Sequence, residues 1–108
     1  MNIEDIREYA LEKENTTEGF PFGESALVFK VNGKMFLLLS LDDQPPRFNV
    51  KCDPDRAILL RAEYPSVLPG YHMNKQHWNT VIMDGSLTRD QILEMIDWSY
   101  SLVSKKKK

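Results

Sequence analysis

A chain of 108 residues, 42% hydrophobic and 28% charged, has the balance of one globular domain with a single modest core and not that of a disordered segment. Its longest apolar run, Met35 to Leu39, is far too short to span a membrane as a helix. The formal charge of −2 conceals four terminal lysines, without which residues 1–104 carry −6, and so acidic a body is unsuited to general nucleic-acid binding except through a local patch.

The first residues, MNIEDIREYALEKE, are acidic where a secretory leader is basic and then apolar, so a cytoplasmic location is expected. The single Cys52 excludes an internal disulfide and reads as a half-buried strand residue in a reducing compartment. Asn2 is placed to cap a helix whose apolar positions Ile3, Ile6 and Ala10 recur at helical spacing, with Glu4 and Asp5 in its first turn. That helix fades near Glu14-Asn15. Gly19, Pro21 and Gly23 make Thr16 to Glu24 a loop, which Phe20 and Phe22 are expected to pin to the core.

Leu27, Phe29 and Val31 alternate, Asn32-Gly33 follows, and Lys34 to Leu39 resumes the apolar pattern. Asn-Gly between two such runs signals a hairpin, because a type I′ turn needs positive φ at both central residues. The second strand is apolar on both faces, so both faces should be at least partly covered. After a turn-rich Asp42 to Pro46, alternation puts Phe48, Val50 and Cys52 on one face of a strand and Arg47, Asn49 and Lys51 on the other.

Asp53-Pro54 starts a second helix, as an N-cap with proline at the first helical position. It runs to about Ala62–Tyr64, burying Ala57, Leu60 and Tyr64. Trp78 to Met83 reads as another strand, closed by Asp84-Gly85. Thr88 and Gln91 form a capping box for a last helix with Ile92, Met95, Ile96, Ser99 and Val103 on one stripe. Residues 1–104 thus predict one α+β domain: a two-layer sandwich with an antiparallel sheet and helices on one face. Lys105 to Lys108 form a basic C-terminal tail, expected to be disordered.

The chain centres on Val67 to Ser86. From Tyr64 through Met83 there is no carboxylate; a hinge at Pro69-Gly70 leads into a polar and aromatic block instead. His72 and His77 invite a metal, but an offset of five puts them on opposite faces of a strand and about 140° apart on a helix. No metal, cofactor or catalytic set is expected. The candidate binding residues are His72, Asn74, Lys75, His77 and Trp78, with Arg47 and Lys51 on the polar strand face. With Lys30, Lys34, Arg56 and Arg61 they form an anion-facing patch only if they converge in space. Trp78 is expected to be a mostly buried core or rim aromatic before it is a stacking platform.

Several blocks also carry a family pattern: Phe22-Gly23, Val28-Phe29-Lys30-Val31 with Lys34-Met35-Phe36, Lys51-Cys52-Asp53-Pro54, and Pro69-Gly70-Tyr71-His72-Met73-Asn74-Lys75 followed by His77-Trp78-Asn79-Thr80-Val81. With Asp84-Gly85-Ser86 and Ile96-Asp97-Trp98-Ser99-Tyr100, they make residues 3 to 103 resemble the MmcQ/YjbR family. The resemblance implies a small bacterial cytoplasmic protein with a YjbR-like fold, similar to frataxin-like and secretion-chaperone-like sandwiches. It also implies weak, non-specific DNA binding through a double-wing arrangement. The acidic body points instead to a monomeric, non-catalytic adaptor that takes an unidentified protein or small ligand on its exposed sheet face.

Overall fold

Asn32 and Gly33 sit at φ 52° and 81°, as a type I′ turn demands, and fold β2 (Ala26–Val31) back on β3 (Lys34–Ser40). This hairpin supplies the second and third strands of a six-stranded antiparallel sheet of order β1-β2-β3-β4-β6-β5. The other strands are β1 (Thr16–Gly19), β4 (Arg47–Lys51), β5 (Val67–Pro69) and β6 (Trp78–Ile82). Three helices complete the α+β fold: α1 (Ile3–Leu11), α2 (Pro54–Glu63) and α3 (Arg89–Ser104). The computed structural model describes residues 1–71 and 73–104; the expectations placed on His72 and on the Lys105–Lys108 tail lie outside the described residues.

Helix ends follow the sequence. Asn2 and Asp5 exchange side-chain and backbone bonds at the start of α1. Asp53 caps α2 with Pro54 just inside it. Thr88 and Gln91 close a reciprocal box ahead of α3.

The alternation along the strands sends Leu27, Phe29, Leu37, Leu39, Phe48, Val50 and Val81 to one face. There they pack with Ile6 and Ala10 of α1 and with Ile92, Met95, Ile96 and Val103 of α3. Ala57 of α2 is buried as well, while Leu60 and Tyr64 are only partly so. Each fully buried large side chain contributes about 1.5–3 kcal/mol. A bulge between Phe29 and Lys30 shifts the hairpin register. Nearby, Ser99 is fully buried; its hydroxyl accepts the Lys51 N–H at 2.8 Å and donates to the Phe36 carbonyl at 2.5 Å. The long α3 is therefore tied to the sheet backbone as well as packed on it.

Several expectations need correction. Thr16 to Gly19 is an edge strand and not a loop: its polar TTEG has no apolar pattern, and pairing with Val28 to Val31 holds it in place. Phe20 and Phe22 do not reach the core, being 51% and 69% exposed. The helices already fill the core face, so the connection carrying these rings passes the other side of the sheet. The supposed hinge residue Pro69 ends a short edge strand, where a proline costs no ladder bond. Trp78, by contrast, is largely buried as expected of a rim aromatic, and lies on the sheet face away from the helices.

Candidate functional site

The residues of the helix-free face are those whose side chains alternate away from the core: Ala26 and Val28 on β2, Leu38 and Ser40 on β3, Arg47, Asn49 and Lys51 on β4, and Trp78 and Thr80 on β6. Among the described residues no helix covers them, yet Leu38 is only 9% exposed and Asn49 7%. Connecting segments provide the cover. Phe22 comes over from the β1–β2 connection, Asp43 from the β3–β4 connection, and Tyr71 and Met73 from the segment before β6. Together with Ala26, Leu38, Ser40 and Asn49 they line a cleft of about 370 Å³, at the small end of the ~300–1,000 Å³ that ligand pockets occupy.

The floor is apolar at Leu38 and polar at one point. Thr80, 2% exposed, donates its hydroxyl to Asn49 Oδ1 at 2.6 Å and accepts the Tyr71 N–H at 2.8 Å. One buried hydroxyl thus orients the amide on the floor and fastens the wall that carries Tyr71. Gly70, just before that wall, crosses tightly against Trp78. A Cβ on Gly70 would lie 2.8 Å from Trp78 Cβ and 2.9 Å from the Trp78 carbonyl oxygen, so only glycine lets the chain turn there.

The wall is braced from the helix side as well. Arg61 of α2 donates through Nε to Asn79 Oδ1 at 2.7 Å, and through Nη2 to the Trp78 carbonyl at 3.2 Å and to the Lys75 carbonyl. Asn74 Oδ1 accepts the N–H groups of Gln76 and His77 at 2.9 and 3.3 Å, an Asx turn that shapes the approach to β6. A second hollow of about 430 Å³ lies beside the edge strand, lined by Thr17 to Pro21, Val28 and Lys30. It is larger but less apolar than the cleft.

The candidates from the sequence divide accordingly. Arg47, Lys51 and Trp78 do share the helix-free face, with Lys51 and Trp78 opposite each other in register. Arg47 is four residues from Lys51 along β4, about 13 Å at ~3.3 Å per residue. Arg47 Nε is buried and has no partner among the described residues. Lys75 is exposed and His77 partly so, while Asn74 is committed to its turn. Two further cations are engaged in packing: Arg61 as above, and Arg56, whose guanidinium lies 3.9 Å from the Trp98 ring centroid. Cys52 is buried, and burial pushes its thiol pKa up, away from reactivity. Among the described residues no group of three His, Cys, Asp or Glu side chains is placed to hold a metal, and no helix is long and apolar enough to cross a membrane.

Most of the cleft was not foreseen from sequence. Phe22, Ala26, Leu38, Ser40, Asp43, Asn49, Tyr71 and Met73 come from six separate segments. One signal pointed to it: a strand apolar on both faces needs cover on both, and Leu38 is the residue that needed it.

Comparison with known proteins agrees with this architecture. A family model described as YjbR matches residues 11–102. The uncharacterized protein YbdF of Escherichia coli O157:H7 is 40% identical over 84 residues, which are 78% of this chain and 69% of that protein. The uncharacterized protein YjbR of Escherichia coli K12 is 33% identical over 100 residues, 93% of this chain and 85% of that one. A solved Deinococcus radiodurans protein of the DUF419 family-model domain superposes with a TM-score of 0.92 at 39% identity, covering 97% of this chain and 80% of that one. A Pseudomonas syringae protein does so with 0.83 at 29%, covering 95% and 99%.

Proposed function

The chain belongs to the YjbR family, and on that footing we propose that it is a non-catalytic binding module whose helix-free sheet face takes small apolar ligands. The observation that carries this reading is the cleft over Leu38 and Asn49, roofed by Phe22, Tyr71 and Met73. An apolar hollow with a few convergent polar groups is the usual form of a ligand site. Exposed aromatic rings at its rim, Phe22 at 69% and Tyr71 at 65%, supply contact area at small entropic cost.

N-phenyl-1-naphthylamine, a neutral dye that brightens in apolar surroundings, tests the reading. Saturable brightening is expected with the native protein and its loss with Ala26→Trp, which fills the cleft, at an unchanged melting temperature. Equal brightening in the filled variant contradicts the reading.

One observation favours a second reading. Lys51 and Trp78 lie side by side on the same open face, the pairing of a cation with a stacking ring that a single-stranded nucleic acid uses. In that reading contact with DNA is weak, sequence-tolerant and confined to this end of the sheet, because Arg56 and Arg61 are engaged elsewhere.

A further inference from the structure

Resting on the cleft reading above, we infer that the ligand is a neutral molecule joining an aromatic or branched aliphatic body to a carbonyl-type acceptor, which the amide nitrogen of Asn49 holds. The hydrogen-bond geometry fixes the direction of that amide. Thr80 Oγ1 already accepts the Tyr71 N–H at 2.8 Å, so its own hydrogen goes to Asn49, 2.6 Å away. The atom receiving a hydrogen must be the amide oxygen. Asn49 Nδ2 therefore points away from Thr80, carrying two N–H groups that no described residue accepts. The side chain is 7% exposed and lines the cleft, and its nitrogen, which no described residue pairs, is open to whatever occupies that cleft.

The rest of the lining sets the remaining chemistry. Leu38, Phe22, Tyr71 and Met73 offer an apolar wall and floor, so the body of the ligand is hydrophobic. Among the described residues Asp43 is the one formally charged residue on the lining. Arg47 and Lys51 flank Asn49 on the same face but do not line the cleft, whereas Asp43 does and repels an anion there, so the acceptor is a ketone, amide or ester oxygen.

Displacement of bound N-phenyl-1-naphthylamine by three matched competitors tests this on the intact protein. 2-Acetylnaphthalene carries the acceptor, 2-ethylnaphthalene lacks it, and 2-naphthoate carries it as an anion. The ketone is expected to displace the dye roughly three- to tenfold more effectively than the hydrocarbon, the weight of one neutral hydrogen bond, and more effectively than the naphthoate. In Asn49→Asp, which keeps an acceptor for Thr80 and removes the donor, the ratio of ketone to hydrocarbon displacement is expected to fall to about one. The wild-type comparison stands alone should that variant fold poorly. Equal displacement by ketone and hydrocarbon, or tighter binding of the naphthoate, overturns the assignment and leaves the cleft reading intact. Absence of any dye binding overturns both.

Discussion

Thr80 and Asn49 face each other across β6 and β4 with 2.6 Å between hydroxyl and amide oxygen, on the side of the sheet that no helix covers. Polar pairs this deeply buried belong to the interior of a protein, and here the cover is three connecting segments and not a second layer. Thr80→Val keeps the shape but leaves the Tyr71 N–H and the Asn49 oxygen without their partner. A loss of about 1–3 kcal/mol is expected, measured by urea unfolding, together with faster amide exchange at Tyr71. Native stability in this variant would show that the pair does not hold the cleft wall.

Gly70→Ala tests the tight crossing at Trp78. The added methyl would meet Cβ and the carbonyl oxygen of Trp78 at 2.8 and 2.9 Å, neither of which is the free end of a flexible side chain. A destabilisation of about 1–3 kcal/mol is expected, the usual cost of overpacking, with dye binding weakened because the wall that carries Tyr71 and Met73 must shift. A melting temperature equal to the parent's would contradict the crossing.

Stability at high pH reports on the packing of α1 against α3. Burial, and then the hydrogen bond to Asp97 at 2.7 Å, push the Tyr9 pKa up to about 12. The unfolded phenol titrates near ~10, so folding favours the neutral ring. That contribution is fully present below pH ~10 and is lost as pH rises from there through about 12. Wild type is therefore expected to lose stability more steeply than Tyr9→Phe between those values in paired denaturation curves. Parallel curves would count against the assignment.

The DNA reading makes a quantitative demand. Of the seven candidate cations (Lys30, Lys34, Arg47, Lys51, Arg56, Arg61 and Lys75), Arg56 stacks on Trp98 and Arg61 braces the cleft wall. Contact through Arg47, Lys51 and Lys75 gives a log–log salt slope of about −2 to −3, at ~0.9 counterions per phosphate. Fluorescence anisotropy with a labelled duplex measures it, comparing the intact protein, a truncation after Ser104, and Arg47→Glu/Lys51→Glu. Loss of binding in the double variant with retention in the truncation supports the patch. Loss on truncation alone assigns the binding to the lysine run.

What the sequence revealed about this fold depended on how local the physics was. The Asn32-Gly33 turn, the Asp53-Pro54 start and the stripe Ile92, Met95, Ile96, Ser99 and Val103 each follow from backbone or periodicity within a few residues, and each is present. The edge strand Thr16–Gly19 was illegible because its partner and not its own side chains makes it a strand. Phe20 and Phe22 were misplaced because hydrophobicity says that a ring seeks cover, not which face of a sheet offers it. Convergence of Lys51 with Trp78, and of Phe22 with Asn49, is a matter of sheet order and connection paths. No single segment records that.

The claim that the helix-free face is a ligand site is tested most directly by amide shift mapping. Titration of ¹⁵N-labelled protein with 2-acetylnaphthalene is expected to give saturable shifts confined to Ala26, Leu38, Ser40, Asn49, Tyr71 and Met73, absent from Ala26→Trp. Shifts centred instead on Ile58 and Leu59, the exposed apolar pair of α2, or shifts that never saturate, would contradict it.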